Sequence, residues 1–466
     1  MKKSKLCRIL RTFPPDEQER FRAFVASPYH SGKSELTQLL ATLLQYWPAF
    51  EINKKTVFAH AFPDSAYNDK QFRYLTSDLN KLAEQFLAIQ TYQQQPVRHD
   101  LDTLLAFAER SLDKEYAHIH RRIKQSFDQR SERDVSYYDD QHRLATVEQR
   151  HFELQRQRTF DKSLQKASDY LDHYYFLQKL KYSCGMLDRQ QVIKGNYELN
   201  LTEALIQHVE LQDFFGDQVI FYYYNVLLAL REENKEEHFF RLRALLMTPA
   251  KAVPFAELRD LYFFAINYCL RKIRQGKTPF VREALNLYRQ GIERKLLLDQ
   301  GNLSPWTFTN VVKLALRLKE YDWIKRFIRD MVHLLPEAFQ SDALHYNLAE
   351  TYYYTQEYEE ALDHLNQVRL SDLNYHLGSR VLLAKIYYEE GSEEPLLSLI
   401  AAFTIFLKRN KKLSNTIKMT YLNFCTILFQ ILKRRPGKWD DIAERIEKTA
   451  LLTDRAWLQQ VLDKER

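Results

Sequence analysis

The sequence predicts an all-α protein, and three observations carry the prediction. Glycine and proline are scarce, 10 and 13 in 466 residues, whereas the turns of β-rich folds call on both. Leu, Ala, Glu, Lys, Arg and Gln dominate, all of them good helix formers. Apolar residues recur at helical spacing along most of the chain. At this length a single core is not expected, so the chain divides into several domains or an elongated stack of repeated units.

Residues 1–98 read as a separate small helical unit. Phe13-Pro14-Pro15-Asp16-Glu17 starts a helix, with two acids where the positive helix end favours them. Phe21, Phe24 and Val25 follow at core spacing, and Ser27-Pro28 ends the helix, because a residue before proline is pushed out of the α region. Ser34 is placed to cap the next helix, whose Leu36, Leu39, Leu40, Leu43 and Leu44 form one stripe. Residues 54–92 then give a short helix, a turn and a longer helix seamed by Phe72, Leu75, Leu79, Leu82, Phe86 and Ile89. Ser31-Gly32-Lys33-Ser34 has the end of a phosphate-binding loop, but its first glycine and preceding strand are missing. It reads as a polar loop.

Residues 99–200 predict long polar helices at about 134–158 and 161–188, the first polar nearly all round and therefore exposed or partner-bound. The turn at Leu112-Asp113-Lys114-Glu115-Tyr116 matches Lys319-Glu320-Tyr321 and Gln356-Glu357-Tyr358 further on. Residues 201–410 read as helical hairpins. Phe221–Leu230 pairs with Phe239–Met247, and Leu258–Ile273 with Phe280–Leu297. The pattern is clearest at residues 341–373. There Leu344, Leu348, Ala349, Tyr352 and Tyr353 lie on one helix and Ala361, Leu365 and Val368 on the next, with Thr355-Gln356-Glu357 between. So short a polar turn lays the two helices back to back. Residues 411–466 add capping helices, with Trp439 and Trp457 packing as an end cap.

The offsets of His345, Leu348-Ala349, Tyr352, Ala361, Leu365 and Val368 resemble the consensus of the tetratricopeptide repeat (TPR). Trp306–Pro336 and Leu377–Leu407 carry weaker versions. Tyr321 and Tyr358 lie 37 residues apart, Tyr352 and Tyr387 lie 35 apart, against roughly 34 in that family. The whole chain also resembles helical-repeat proteins of Bacteroidetes-type bacteria, to which no activity is attached. The TPR resemblance implies an α-α superhelix, since one hairpin cannot bury its own apolar face and neighbours must stack on it. It also implies a concave groove lined by fixed positions of each first helix. Carried over, these are Trp306, Thr309, Lys313 and Leu316, then Ala343, Tyr346, Glu350 and Tyr353, then Gly378, Val381, Lys385 and Tyr388. The Lys/Asn set with which some TPR proteins clamp a terminal carboxylate is absent, because Glu350 stands at a central position.

Charge and chemistry narrow the function classes. The net charge of +7 is uneven: +5 over residues 1–98, 0 over 99–200, +1 over 201–300, −6 over 301–400 and +7 over 401–466. Opposite fields of this kind concern partners rather than fold. A nucleic acid would meet Lys70, Arg73 and Lys81 on the 54–92 helix pair, or Lys411, Lys412, Arg434 and Arg435 near the C-terminus. Residues 57–82 are similar to the recognition-helix region of bacterial winged-helix regulators with TPR-like domains, but no β-wing follows. Solvated helix faces are the plainer reading of each cluster. Glu115-x-x-His118 and Glu148-x-x-His151 echo a carboxylate-bridged metal site, yet their flanking helices are too polar to bury one. No catalytic or nucleotide fingerprint is present. Cys7, Cys184, Cys269 and Cys425 are widely spaced, which suits a reducing compartment. The basic N-terminus lacks an apolar core for a signal peptide, and the apolar run Pro395–Leu407 is too short to span a bilayer.

The expectation is a non-enzymatic, cofactor-free interaction scaffold in the cytoplasm, binding a peptide or protein partner in the groove. A second copy of the chain, or its own N-terminal unit, is the other occupant to consider. The alternative is a nucleic-acid-binding regulator.

Overall fold

The computed structural model describes residues 1–156, 159–191, 193, 195–211, 218–249, 251–368, 373–411, 413–433 and 439–466. Among them lie 23 α-helices and a single β-hairpin, Leu298–Asp299 paired with Asn302–Leu303. The protein is all-α. It divides into two compact units, Met1–Gln178 and Lys179–Arg466.

The first unit opens with α1 (Lys5–Leu10), α2 (Pro15–Ala26), α3 (Ser34–Leu44), α4 (Lys54–Ala61) and α5 (Asp69–Gln93). Their apolar faces close into one core between Leu6 and Phe86. Phe13, Phe21 and Phe86 pack ring to ring at 5.2–5.6 Å in its middle, the offset and edge geometries that aromatic quadrupoles favour. Lys33 rather than Ser34 holds the cap position of α3, with no side-chain cap. Lys33 instead reaches Asp78 at 2.8 Å, so the Ser31–Ser34 loop is tied down as a surface turn.

Next come α6 (Pro96–Glu109), α7 (Asp113–Gln129), α8 (Val135–Leu154) and α9 (Lys162–Gln190). Here the sequence reading needs correction. Helix α8 is shorter than expected and is not polar all round: Tyr137, Tyr138, Leu144, Ala145 and Val147 are buried, and α8 packs on α6. Its first turn supplies two of those five residues, and a window starting at Gln141 misses them.

The second unit runs from the rest of α9 through α10 (Thr202–Leu211), α11 (Gln218–Arg231), α12 (Glu236–Met247), α13 (Phe255–Arg274) and α14 (Pro279–Glu293). It continues through α15 (Pro305–Arg317), α16 (Tyr321–Met331), α17 (Glu337–Tyr354), α18 (Tyr358–Asn366), α19 (Leu373–Glu389) and α20 (Glu393–Arg409). Last come α21 (Asn415–Leu432), α22 (Trp439–Lys448) and α23 (Arg455–Glu465). Sequential helices pair as hairpins, and α15, α17 and α19 also pack on one another in turn. Being covered on several sides, α17 buries Asp342, Asn347 and Thr351 along with its apolar residues. The Asn347 amide nitrogen and the Thr351 hydroxyl donate to the carbonyls four residues back, at 2.7 and 2.8 Å, while Asn347 Oδ1 is buried without a partner among the described residues.

Five hairpins share one turn. The second residue after the first helix takes a left-handed conformation: Ser111 (φ 55), Gly276 (φ 85), Lys319 (φ 59), Gln356 (φ 63) and Gly391 (φ 71). The next amide then donates back to a carbonyl five residues earlier: Leu112 to Phe107 at 3.0 Å, Lys277 to Lys272 at 3.0 Å, Glu320 to Ala315 at 3.1 Å, Glu357 to Tyr352 at 2.9 Å and Ser392 to Tyr387 at 2.8 Å. This is the Schellman closure, which satisfies carbonyls left open at a helix end. It also corrects the turn register near residue 112. Ser111-Leu112 corresponds to Lys319-Glu320, and Lys114-Glu115-Tyr116 already lies inside α7.

Candidate functional site

Two adjoining clefts open on α15, α17 and α19. One, of about 300 Å³, is lined by Lys313, Leu316 and Arg317 from α15, Glu350 and Tyr354 from α17, and Val381, Leu382 and Lys385 from α19, with Thr453 and Asp454 beside them. The other, of about 500 Å³, is lined by Trp306 and Thr309 of α15, Phe339 of α17, and Asn374 and Tyr375 of α19. Lys313, Tyr346, Gly378 and Tyr421 border both, so the two are continuous. Trp306, Lys313 and Arg317 follow one another at helical spacing on the exposed side of α15, and Trp306 is 67% exposed.

The floor is set by a close fit. Tyr346 lies over Gly378, where a Cβ would stand 2.8 Å from the Tyr346 hydroxyl. Any larger residue at 378 displaces that ring. Tyr375 packs against it at 5.5 Å between centroids. Burial holds the Tyr346 phenol well above its ordinary pKa, with the nearby acids Glu350 and Asp454 adding to the effect, so the ring stays protonated. Glu350 lines the cleft with its Oε2 buried and without a hydrogen-bond partner among the described residues. Burial raises its carboxyl above the usual range, Lys313 and Lys385 pull against that, and Asp454 adds to it.

The predicted groove residues divide into two sets. Trp306, Lys313, Tyr346, Glu350 and Lys385 meet in the clefts, together with Thr309, Leu316, Gly378 and Val381. Ala343 is fully buried. Tyr353 and Tyr388 are not open groove residues, because the C-terminal helix covers that end. Trp457 of α23 meets Tyr388 edge-on at 5.6 Å, and its indole donates to Glu389 at 3.4 Å. Lys385 pairs with Asp454, and its ammonium sits 5.7 Å from the Trp457 ring and 5.8 Å from that of Tyr353. The segment carrying Asp454 is held by Arg455, whose guanidinium caps the end of α22 through the carbonyls of Ile446, Glu447 and Thr449. Arg317 was within reach of the sequence, one turn from Lys313. Tyr421 and Asp454 carry no local signal.

The other candidates are dispersed. Lys70 is exposed, Arg73 pairs with Asp69 one turn earlier, and Lys81 lies 4.0 Å from Asp78. The in-helix acids thus offset the positive face of α5. Lys411 is exposed, while Lys412, Arg434 and Arg435 lie outside the described residues. The Glu/His motifs do not converge: Glu115 and His118 are exposed, Glu148 bonds His120 at 2.6 Å and Lys124 at 3.2 Å, and His151 stacks on Tyr116 at 3.9 Å. Burial opposes the charge on Glu148, but those two partners prevail and hold its carboxyl below the usual range. Among the described residues no group of three or more His, Cys, Asp or Glu could hold a metal. Nor is any helix there long and apolar enough to cross a membrane. The four cysteines are free and buried.

No family model, curated protein or solved structure matches this chain.

Proposed function

We propose that this protein is a non-enzymatic interaction scaffold of the cytoplasm, a TPR-like superhelix whose concave side takes an extended segment of a protein partner. One observation carries the reading: repeat positions on three successive first helices, spaced along the chain from Trp306 to Lys385, line one continuous pair of clefts. The lining combines an exposed indole, tyrosines and charges of both signs, the kind of surface on which a few aromatic and cationic anchors supply most of the binding energy. The stacking of α15, α17 and α19 supports a repeat architecture. The test is selection from a random-peptide display library on the full chain, repeated on a Trp306→Ala/Lys313→Ala variant. Peptides enriched on the parent and lost on the variant support the cleft as the binding site. Enrichment that the variant leaves unchanged sinks it, and salt-sensitive retention of duplex DNA in place of peptides favours a nucleic-acid-binding regulator.

A further inference from the structure

The open and covered parts of the cleft contain the same chemistry in two states. In the covered part an acid of the chain itself, Asp454, sits on Lys385, and three residues on Trp457 packs against Tyr388. In the open part Lys313 and Arg317 make no ion pair with any described carboxylate, and Trp306 is exposed. Two carboxylates line the cleft. Asp454 is engaged by Lys385, and Glu350 has a buried, unpartnered Oε2. The two cations on the α15 wall thus hold no direct ion pair with a described carboxylate, and Glu350 acts on Lys313 only at longer range.

Resting on the interaction-scaffold reading, we infer that the open part recognises an acidic side chain of an extended partner peptide, with a large apolar residue about three positions away. The acid seats against Lys313 and Arg317, and the apolar side chain lies on Trp306. The spacing follows from geometry. Seven residues of helix from Trp306 to Lys313 rise about 10.5 Å, which an extended strand covers in about three residues. Asp454 on Lys385 is the internal precedent for an acid accepted at this surface. A basic ligand would instead meet the exposed Lys313 and Arg317, like charge on like.

Fluorescence anisotropy on the full chain tests this with four labelled peptides of otherwise Ser/Gly sequence. They carry Asp-Ser-Ser-Trp, Asn-Ser-Ser-Trp and Lys-Ser-Ser-Trp, plus an Asp-Ser-Ser-Trp version with an amidated C-terminus. The acidic peptide should bind about tenfold tighter than the neutral one, regardless of amidation, and should weaken as salt rises. Lys313→Glu/Arg317→Glu, at exposed positions, should reverse the preference toward the Lys peptide with Tm unchanged. Equal affinity of the three side-chain variants, all lost in Trp306→Ala, overturns the acidic specificity and leaves the cleft reading standing. Absence of binding by every peptide overturns both. A dimer in sedimentation that Lys313→Glu dissociates also overturns it, by assigning the cleft to a second copy.

Discussion

The two parts of the cleft differ less in composition than in what the rest of the chain does to them. Along α15 an indole, a lysine and an arginine, Trp306, Lys313 and Arg317, face solvent. Around Tyr388 a lysine and aromatic rings of the same kind are covered by α23, with Asp454 and Trp457 as the covering groups. A groove position is thus not a binding position by residue type alone. It becomes one when no other segment of the chain satisfies it first.

Breaking the covered part should cost most. Trp457 belongs to the core formed by α19 to α23, so Trp457→Ala should destabilise the protein by about 4 kcal/mol. Trp306→Ala should stay within about 0.5 kcal/mol. Urea denaturation of both variants checks the contrast, and equal costs would erase the distinction between the two parts.

Next in size is the ion pair. Lys385 has a side chain 11% exposed against 28% for Asp454, between a buried pair and a surface one. Asp454→Asn leaves the lysine without its counter-charge and should cost about 2 kcal/mol. A midpoint unchanged in urea would mean that the aromatic packing alone holds α23 in place.

Glu350 sharpens the comparison through pH. Its folded carboxyl is raised above the unfolded value, so the native state binds the proton more tightly. Its favourable contribution is present below the ordinary carboxylate pKa and is lost as pH rises through the folded one. Glu350→Gln should therefore be more stable than the parent at neutral pH, with the advantage shrinking as pH falls into the carboxylate range. Thermal melts across that window test the sign. An advantage that grows on acidification contradicts it.

The smallest effect concerns the scaffold beneath both parts. Gln356 occupies a left-handed turn at φ 63, a conformation that costs a side chain more than it costs glycine. Gln356→Gly should stabilise by about 0.5 kcal/mol, read as a small rise in Tm. A loss instead would show that the Gln356 side chain contributes more than the strain it brings.

Much of the hairpin series was legible because its signals are local. The apolar period of residues 306–407 and the polar turn at Thr355–Glu357 both act over a few residues, and nine of the twelve groove positions inferred from repeat offsets line the clefts. What the sequence hid depends on distance. Asp454 reaches Lys385 across 69 residues, and Tyr421 enters from α21, with nothing in the intervening chain to announce either. The turn near residue 112 was misplaced because Lys114-Glu115-Tyr116 resembles Lys319-Glu320-Tyr321 by letter, while the turn itself is set by Ser111.

The five shared closures have an evolutionary consequence. Each is made by main-chain amides and carbonyls, and its left-handed position is filled by Ser, Gly, Lys, Gln and Gly in turn. A joint built from atoms that every residue possesses places little demand on the side chains around it. Successive hairpins, and hairpins in diverging descendants, can exchange most of their residues without altering how they fold back. The shape of such a joint is written in its main-chain hydrogen bonds rather than in the order of its amino acids.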